Sequence, residues 1–461
     1  MFCDSRSNKV LDFYRGSTVL VAGGTGFVGK ALLEKILRSL DVKKVYLLVR
    51  KKCGVCAEDR LRQLLEDRLF DQMREQVKKV EAVEVDYDLE CFGLDDDVAE
   101  MLQKEVESVF YCVADVSFNR PLKEAFQTNV LIGKYMLKWC LSFPNLRSFV
   151  HTSTFYSECT KNFVDEKIAD DLPFGSYKLC MKMLTSLSSE ECENIRDSML
   201  GDYPNTYTFT KKLAEIMIQK EFAGDLPIGV YRPPVVSPTY REPQPGWTDN
   251  MFGVGSFISS KFDGVGRVIL GDLNQISNNA PLDCCVNAML VCGYDVSLRR
   301  SSCCQSEPEL TVYNHVSKMS KCTNGDVLRY MAESRSSFWQ RWDWKYLFTS
   351  TTTKWIYYYL LHLCYWYAGL KDLVTVRLKG ANGRDHYHYR RSLKHFASYN
   401  QAVAFAMCRS WSSYNKNLIN LKRHLNEKEL EMFYFDLDDV DWPQYIKSCV
   451  DGISLLLHKQ L

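Results

Sequence analysis

Tyr207 and Lys211 stand four residues apart in "YPNTYTFTKKLAE", residues 203–215. Residues i and i+4 share one face of a helix. A free tyrosine, with a pKa of about 10, is a weak acid and base at neutral pH. A neighbouring ammonium favours the phenolate and lowers that value. Such a pair can give a proton to a carbonyl oxygen as hydride reaches the carbon, and the lysine can hold a nicotinamide ribose as well. The plainer reading of the same residues is a Pro-initiated helix with a solvated lysine. Upstream, Ser153 and Thr154 close the apolar run "SFVHTST". A hydroxyl there can donate to the same carbonyl oxygen and stabilise developing charge, or it can simply end a strand in a turn.

A second group of residues suits a dinucleotide. In "TVLVAGGTGFVG" (18–29) an apolar strand runs into glycines at 23, 26 and 29, and "KALLEKILRSL" follows with helical periodicity. Glycines permit a tight turn and close backbone approach, and the helix N-terminus then faces a pyrophosphate. Gly23, Thr25, Gly26, Phe27, Val28 and Gly29 are the candidate loop residues. The next strand, "KKVYLLVR", ends at Arg50 with Lys51 and Lys52 behind it. An NAD site calls for an acidic residue at that point, to hold the ribose hydroxyls. A basic residue suits the 2′-phosphate of NADP, so NADPH is the expected cofactor. Asp86, after "AVEV", is placed to meet the adenine edge or to cap its strand.

These residues need a frame. Further strands are expected at 82–88, 108–118, 148–157 and 228–238, with helices between them, including 121–142 and 206–222. Strands alternating with helices predict a doubly wound parallel sheet of the Rossmann type, an α/β fold. Three regions are expected: a nucleotide-binding domain over 15–290, a connecting or substrate region over 291–350, and a mainly helical, membrane-associated domain over 351–461. The 461 residues suffice for several packed cores. Net charge is +1, with no long run of one sign, which argues against a nucleic-acid partner. The start is polar and lacks the apolar core of a secretory signal, so the 18 cysteines read as free thiols. Cys53 and Cys56 form one CxxC with no second at zinc-ribbon spacing, so no metal site is expected.

Aromatic residues concentrate late in the chain, in "FWQRWDWKYLF" (338–348) and "WIYYYLLHLCYWYAGL" (355–370). The second stretch is shorter than the roughly 20 apolar residues that a spanning helix needs. Its Tyr and Trp favour the wet edge of a bilayer. A monotopic membrane contact and a buried helical hairpin both fit, and His362 reads as a packed or interfacial residue.

The segments "VAGGTGFVGKALLEKILRS", "VYLLVR", "FVHTSTFYS", "YPNTYTFTKKLAE" and "YRPPVVSPTYREPQPGWTDN" occur in this order. Together they closely resemble the animal alcohol-forming fatty acyl-CoA reductases, extended short-chain dehydrogenase/reductases with a C-terminal male-sterility domain. "PLDCCVNAML" and "FDLDDVDWPQYIKSCVDGI" extend the resemblance over nearly the whole chain. It implies NADPH-dependent reduction of a long-chain acyl-CoA to a primary alcohol through an aldehyde, with release of CoA. Tyr207 is then the acid, Lys211 its partner and ribose ligand, and Thr154, with Ser153 beside it, the oxyanion donor. It further implies an intracellular, cytosol-facing place on a membrane of the endoplasmic reticulum, peroxisome or lipid droplet, and a homodimer as one arrangement. Another extended dehydrogenase, acting on an aldehyde or a sterol, shares the Tyr–Lys pair, and a weakly active membrane scaffold is the third reading. Departures from the family pattern fall at Ala22, Asp115, Ile132, Gly133 and Phe155. Asp115 puts a charge near the cofactor, and Phe155 puts bulk near the carbonyl.

Overall fold

The computed structural model describes residues 8–52, 54–264, 267–302, 310–318, 322–334, 347–349, 354–379 and 388–460. Cys53 and most of the aromatic stretch 338–348 lie outside them. The chain divides into two compact units. The first comprises 1–234, 282–318 and 412–436; the second comprises 235–281, 319–411 and 437–461.

The first unit is built on seven parallel strands: β1 (Thr18–Ala22), β2 (Lys44–Arg50), β3 (Val80–Val85), β4 (Ser108–Tyr111), β5 (Ser148–Thr152), β6 (Ile228–Arg232) and β7 (Thr311–Asn314). Their order in the sheet is β7-β6-β5-β4-β1-β2-β3, and every pairing is parallel. The chain runs outward from β1 to β3, then returns to β4 on the other side of β1. This reversal opens a crevice at the carboxyl ends of β1 and β4, where doubly wound sheets bind ligands. Central strands covered on both faces need continuous apolar runs, and Val19 to Ala22 of β1 are fully buried.

The helices include α1 (Phe27–Ser39), α2 (Ala57–Leu65), α3 (Ile132–Cys140), α4 (Thr206–Glu221) and α5 (Leu282–Ser302). α5 packs on α1 and β5. It runs unbroken across residue 290, so the boundary expected there falls inside a helix whose apolar face belongs to the sheet. The strand expected over 228–238 is interrupted: β6 stops at Arg232, before Pro233 and Pro234, and Val235–Ser237 pairs with Asn279–Pro281 in the second unit. Proline has no N–H to give to a ladder. The helix expected over 121–142 carries a π-helical turn at Gln127–Leu131. None of the described cysteines is in a disulfide.

The second unit is mainly helical. α6 (Lys354–Lys379) pairs with α7 (His388–Met407), and α8 (Trp442–Gln460) packs on the helices Val254–Asp263 and Asn324–Glu333. The "EPQPGW" turn seats on α8. Gly246 has φ +76°, and a Cβ on it would lie 2.0 Å from the Ser448 carbonyl oxygen. Tyr445 Oη donates to the Pro238 carbonyl at 2.7 Å. Among the described residues no helix is long and apolar enough to cross a membrane.

Candidate active site

β1 ends at Ala22 and the chain turns at once. Gly23 takes φ +82°, and a Cβ on it would lie 2.7 Å from the Cys112 carbonyl carbon, just past β4. A Cβ on Gly29 would lie 2.4 Å from the Gly23 carbonyl oxygen. The turn therefore closes only with glycine at both positions. Gly26 is the N-cap of α1 and brings no capping side chain, while Phe27, Val28 and Gly29 form the first turn. This is the cradle a dinucleotide needs, with backbone at the crevice and a helix N-terminus aimed at a pyrophosphate.

Beside the cradle lies a basic corner. Arg60 of α2 reaches the Thr25 hydroxyl with Nη2 at 3.5 Å, and its Nη1 donates to the Arg50 carbonyl oxygen. The Arg50 side chain is exposed at the end of β2. Burial pushes the Tyr87 phenol up, and the positive charges of Arg50 and Arg60 oppose it, so both guanidinium groups act on one place. Arg50 and Asp86 line one open cavity of about 1450 Å³, together with Tyr87, Ala114 and Asp115. The Asp115 carboxylate accepts from the Ser117 amide at 2.8 Å and pairs with Arg120. Desolvation raises its pKa, but these contacts prevail and hold it below the usual carboxylate range. The charge that departs from the family pattern is thus neutralised locally.

α4 carries the proposed proton-transfer pair. Asn205 caps it by accepting from the Thr208 amide at 2.9 Å. In its first turn, Tyr207 is half-buried, with its ring edge-on to Phe118 at 5.9 Å. The Thr154 hydroxyl lies beside the Tyr207 phenol and favours its ionised form. Lys211 is buried and donates from Nζ to the Thr152 carbonyl at 2.8 Å. Burial pushes Tyr207 up to about 12, against the opposing influence of the Thr154 hydroxyl. Burial also pushes Lys211 down to about 8, against Cys112 and Glu215, which favour its charge. At neutral pH the site therefore holds a phenol able to give a proton, and an ammonium beside the strand end that carries Thr154.

Ser153 does not join them. Its hydroxyl donates to the buried Glu215 carboxylate at 2.5 Å, and Ser157 donates to the same oxygen at 2.9 Å. Glu215 also takes Arg232 in a two-point ion pair, Nε at 2.8 Å and Nη2 at 2.6 Å. Burial alone would raise the Glu215 carboxyl; Arg232, Ser153 and Lys212 together hold it low. Nearby, the fully buried Lys212 meets Glu158 at 2.5 Å. This network ties the 153–158 turn to α4 and β6. Phe155, the other departure near the carbonyl, is buried, and its amide donates to the Pro233 carbonyl at 2.8 Å.

Three residues were missed by sequence reasoning. Glu215 continues the series Tyr207, Lys211 at the next i+4 step, which the helical spacing could have revealed. Asn129, in the π-helical turn, accepts from the Asp115 amide at 2.8 Å and donates to Thr210 at 3.0 Å, joining the end of β4 to α4. Nothing local in the sequence marks it. Arg60 lies ten residues past Arg50, and only the fold brings the two together.

Known proteins match this arrangement over most of the chain. Two family models, both described as male sterility protein, match residues 21–289 and 354–460, the first of them an NAD-binding domain. "Fatty acyl-CoA reductase wat" of Drosophila melanogaster is 30% identical, over 97% of this chain and 85% of the fly protein. "Fatty acyl-CoA reductase 2" of Bos taurus is 29% identical, over 98% of this chain and 87% of the bovine protein. Among solved structures, the reductase domain of a nonribosomal peptide synthetase from Mycobacterium tuberculosis superposes with a TM-score of 0.61 at 16% identity, covering 99% of this chain and 96% of that one. A UDP-glucuronic acid 4-epimerase from Bacillus cereus, in complex with NAD, superposes at 0.52 with 14% identity, covering 96% and 98%. These last two share the fold. The glycine cradle and the match to the NAD-binding domain make the bound cofactor a nicotinamide dinucleotide. With more than half its length matched by one family model, and 30% identity to a relative that it spans almost end to end, the chain belongs to the male sterility protein family of fatty acyl-CoA reductases.

Proposed function

We propose that this protein reduces long-chain fatty acyl-CoA to a primary fatty alcohol with NADPH, through an aldehyde and with release of CoA. The observation that carries the reading is the buried Lys211 on the Tyr207 face of α4, with its Nζ anchored on the Thr152 carbonyl two residues before Thr154. The overall balance is one acyl-CoA, two NADPH and two protons to one alcohol, one CoA thiol and two NADP⁺. The nicotinamide, when bound, supplies hydride. The protein does the rest. Thr154 and Tyr207 donate to the carbonyl oxygen as it gains charge. Tyr207 then gives up its proton to the alkoxide, and the Lys211 ammonium stabilises the phenolate left behind. Gly23, Thr25, Gly26, Phe27, Val28 and Gly29 cradle the pyrophosphate, Lys211 holds the ribose, and Asp86 faces the adenine side.

Arg50 and Arg60 support NADPH over NADH, because Arg60 reaches the Thr25 hydroxyl and the Arg50 carbonyl beside the glycine cradle and both positive charges act on Tyr87, a basic setting that suits a 2′-phosphate. The amphipathic substrate supports an intracellular place at the cytosolic face of the endoplasmic reticulum, peroxisome or lipid droplet, with the alcohol leaving as a precursor of waxes or ether lipids. A homodimer is part of the same reading, supported by the resemblance alone.

The test incubates the protein with NADPH and acyl-CoAs of graded chain length, following free thiol and extracted lipid. Thiol and fatty alcohol are expected, and Tyr207→Phe should cut turnover by about 10²–10⁴-fold. Cofactor oxidation on aldehydes or sterols without thiol release from any acyl-CoA would reject the thioester reaction. No reduction of any of these substrates would leave a scaffold.

A further inference from the structure

α6 presents the wrong face to water. Trp355, Tyr359 and Trp366 are 71%, 64% and 68% exposed. Tyr358, Leu363, Leu370, Leu373 and Val374 are exposed with them, while Tyr357, Leu361 and Ala368 are buried. The spacing of the exposed residues, 355, 359, 363, 366, 370 and 373–374, is that of a single helical stripe. At 1.5 Å per residue it runs for about 28 Å. Monomeric soluble proteins rarely expose so continuous an apolar patch without a partner for it.

Charge selects the partner. α6 and α7 together contain seven Lys or Arg and a single acidic residue, Asp372, whereas the whole chain has a net charge of only +1. Asp372 is buried and spent internally, accepting from the Tyr389 and Arg390 amides at 2.9 and 3.2 Å. The basic groups lie close to the stripe. Arg390 lays its guanidinium against Gly369, where a Cβ would stand 2.2 Å from Nη2. Lys371 stacks on the Tyr389 and Tyr367 rings at 4.2 and 5.8 Å. Arg391 and Lys394 are exposed on α7. A second copy docking here by two-fold symmetry would set this positive patch against itself. A bilayer surface presents acyl boundary to the Trp and Tyr rings and anionic headgroups to the basic residues.

We infer that the exposed face of α6, flanked by the basic residues of α6 and α7, is a docking surface for an anionic lipid bilayer, along which α6 lies without crossing. This deepens the membrane location given above; its test reads lipid binding and not reduction, so either can fail alone. The full chain is floated with vesicles of phosphatidylcholine, with or without phosphatidylserine, at low and high salt. It should float with both, more strongly with phosphatidylserine, and high salt should remove the difference. The double variant Trp355→Ser/Trp366→Ser should lose about tenfold in vesicle binding on both compositions. Arg391→Gln/Lys394→Gln should lose only the preference for phosphatidylserine. Unchanged cofactor binding in each variant shows that it is folded. Absence of flotation for the parent chain, or undiminished flotation for the Trp variant, overturns the inference. So does light scattering that shows a dimer broken by the Trp substitutions with no vesicle binding in either protein, which would make the stripe an interface between copies.

Discussion

At the scale of single residues, burial sets two proton affinities in the candidate site apart. Lys211, lowered to about 8, is an ammonium below that pH and a neutral amine above it. The groups that act on it are Cys112, just past β4, His151 from β5 and Glu215 from α4. Burial keeps the Cys112 thiol and the His151 ring neutral, since it raises the first to about 11 and lowers the second well below its ordinary value. In the proposed mechanism only the ammonium stabilises the Tyr207 phenolate, so kcat/KM should be flat near neutral pH and fall as pH rises through about 8. A pH–rate profile with the cofactor saturating checks this; an alkaline limb near 10 would assign it to an unshifted lysine instead. Arg60 makes a separate prediction. Removing one charge-assisted contact costs about 1.5–3 kcal/mol. Arg60→Met should therefore weaken NADPH binding by about 10- to 100-fold and leave NADH binding unchanged, as measured by cofactor fluorescence titration.

At the scale of elements, α4 is held by a buried ionic network around its middle. Glu215, Arg232, Glu158 and Lys212 are all buried, and removing one member leaves the others without a counter-charge. Breaking such a pair costs about 3–5 kcal/mol. Glu215→Gln should lower stability by that order in urea unfolding. It should also move the alkaline limb of the rate profile downward, because Glu215 favours the Lys211 ammonium. A merely structural Glu215 would change the first and not the second. The glycine cradle belongs to the same scale. Gly29→Ala would force a Cβ against the Gly23 carbonyl oxygen, so cofactor affinity should fall while the sheet itself stays folded, measured by titration beside circular dichroism.

At the scale of the whole molecule, charge is unevenly shared. α6 and α7 carry a surplus of six positive charges within a chain of net +1 and sequence pI of about 7.4. Near that pH the net charge is close to zero, so little net repulsion opposes association through the exposed aromatic stripe. Solubility without lipid should be lowest near pH 7.4 and rise on either side, as static light scattering across pH would show.

Much of this was legible along the chain. The glycines at 23, 26 and 29, the alternation of strand and helix, and the Tyr207–Lys211 spacing are local signals, each written within one or two elements. The sequence by itself therefore determined the fold class, the glycine turn after β1 and the helical spacing that puts Tyr207 and Lys211 on one face of α4. Tertiary structure decided what depends on distance through space. It turned the Ser153 hydroxyl into the Glu215 network and left Thr154 at Tyr207, although the two are neighbours, because successive residues of an extended segment point to opposite sides. It brought Arg60 back onto Arg50, neutralised Asp115 with Arg120, and carried α5 across the boundary expected at 290. It also chose which side of the 355–370 stretch is buried. Periodicity shows that a helix has two faces, but only packing against α7 and its neighbours says which of them meets protein and which is left for something else.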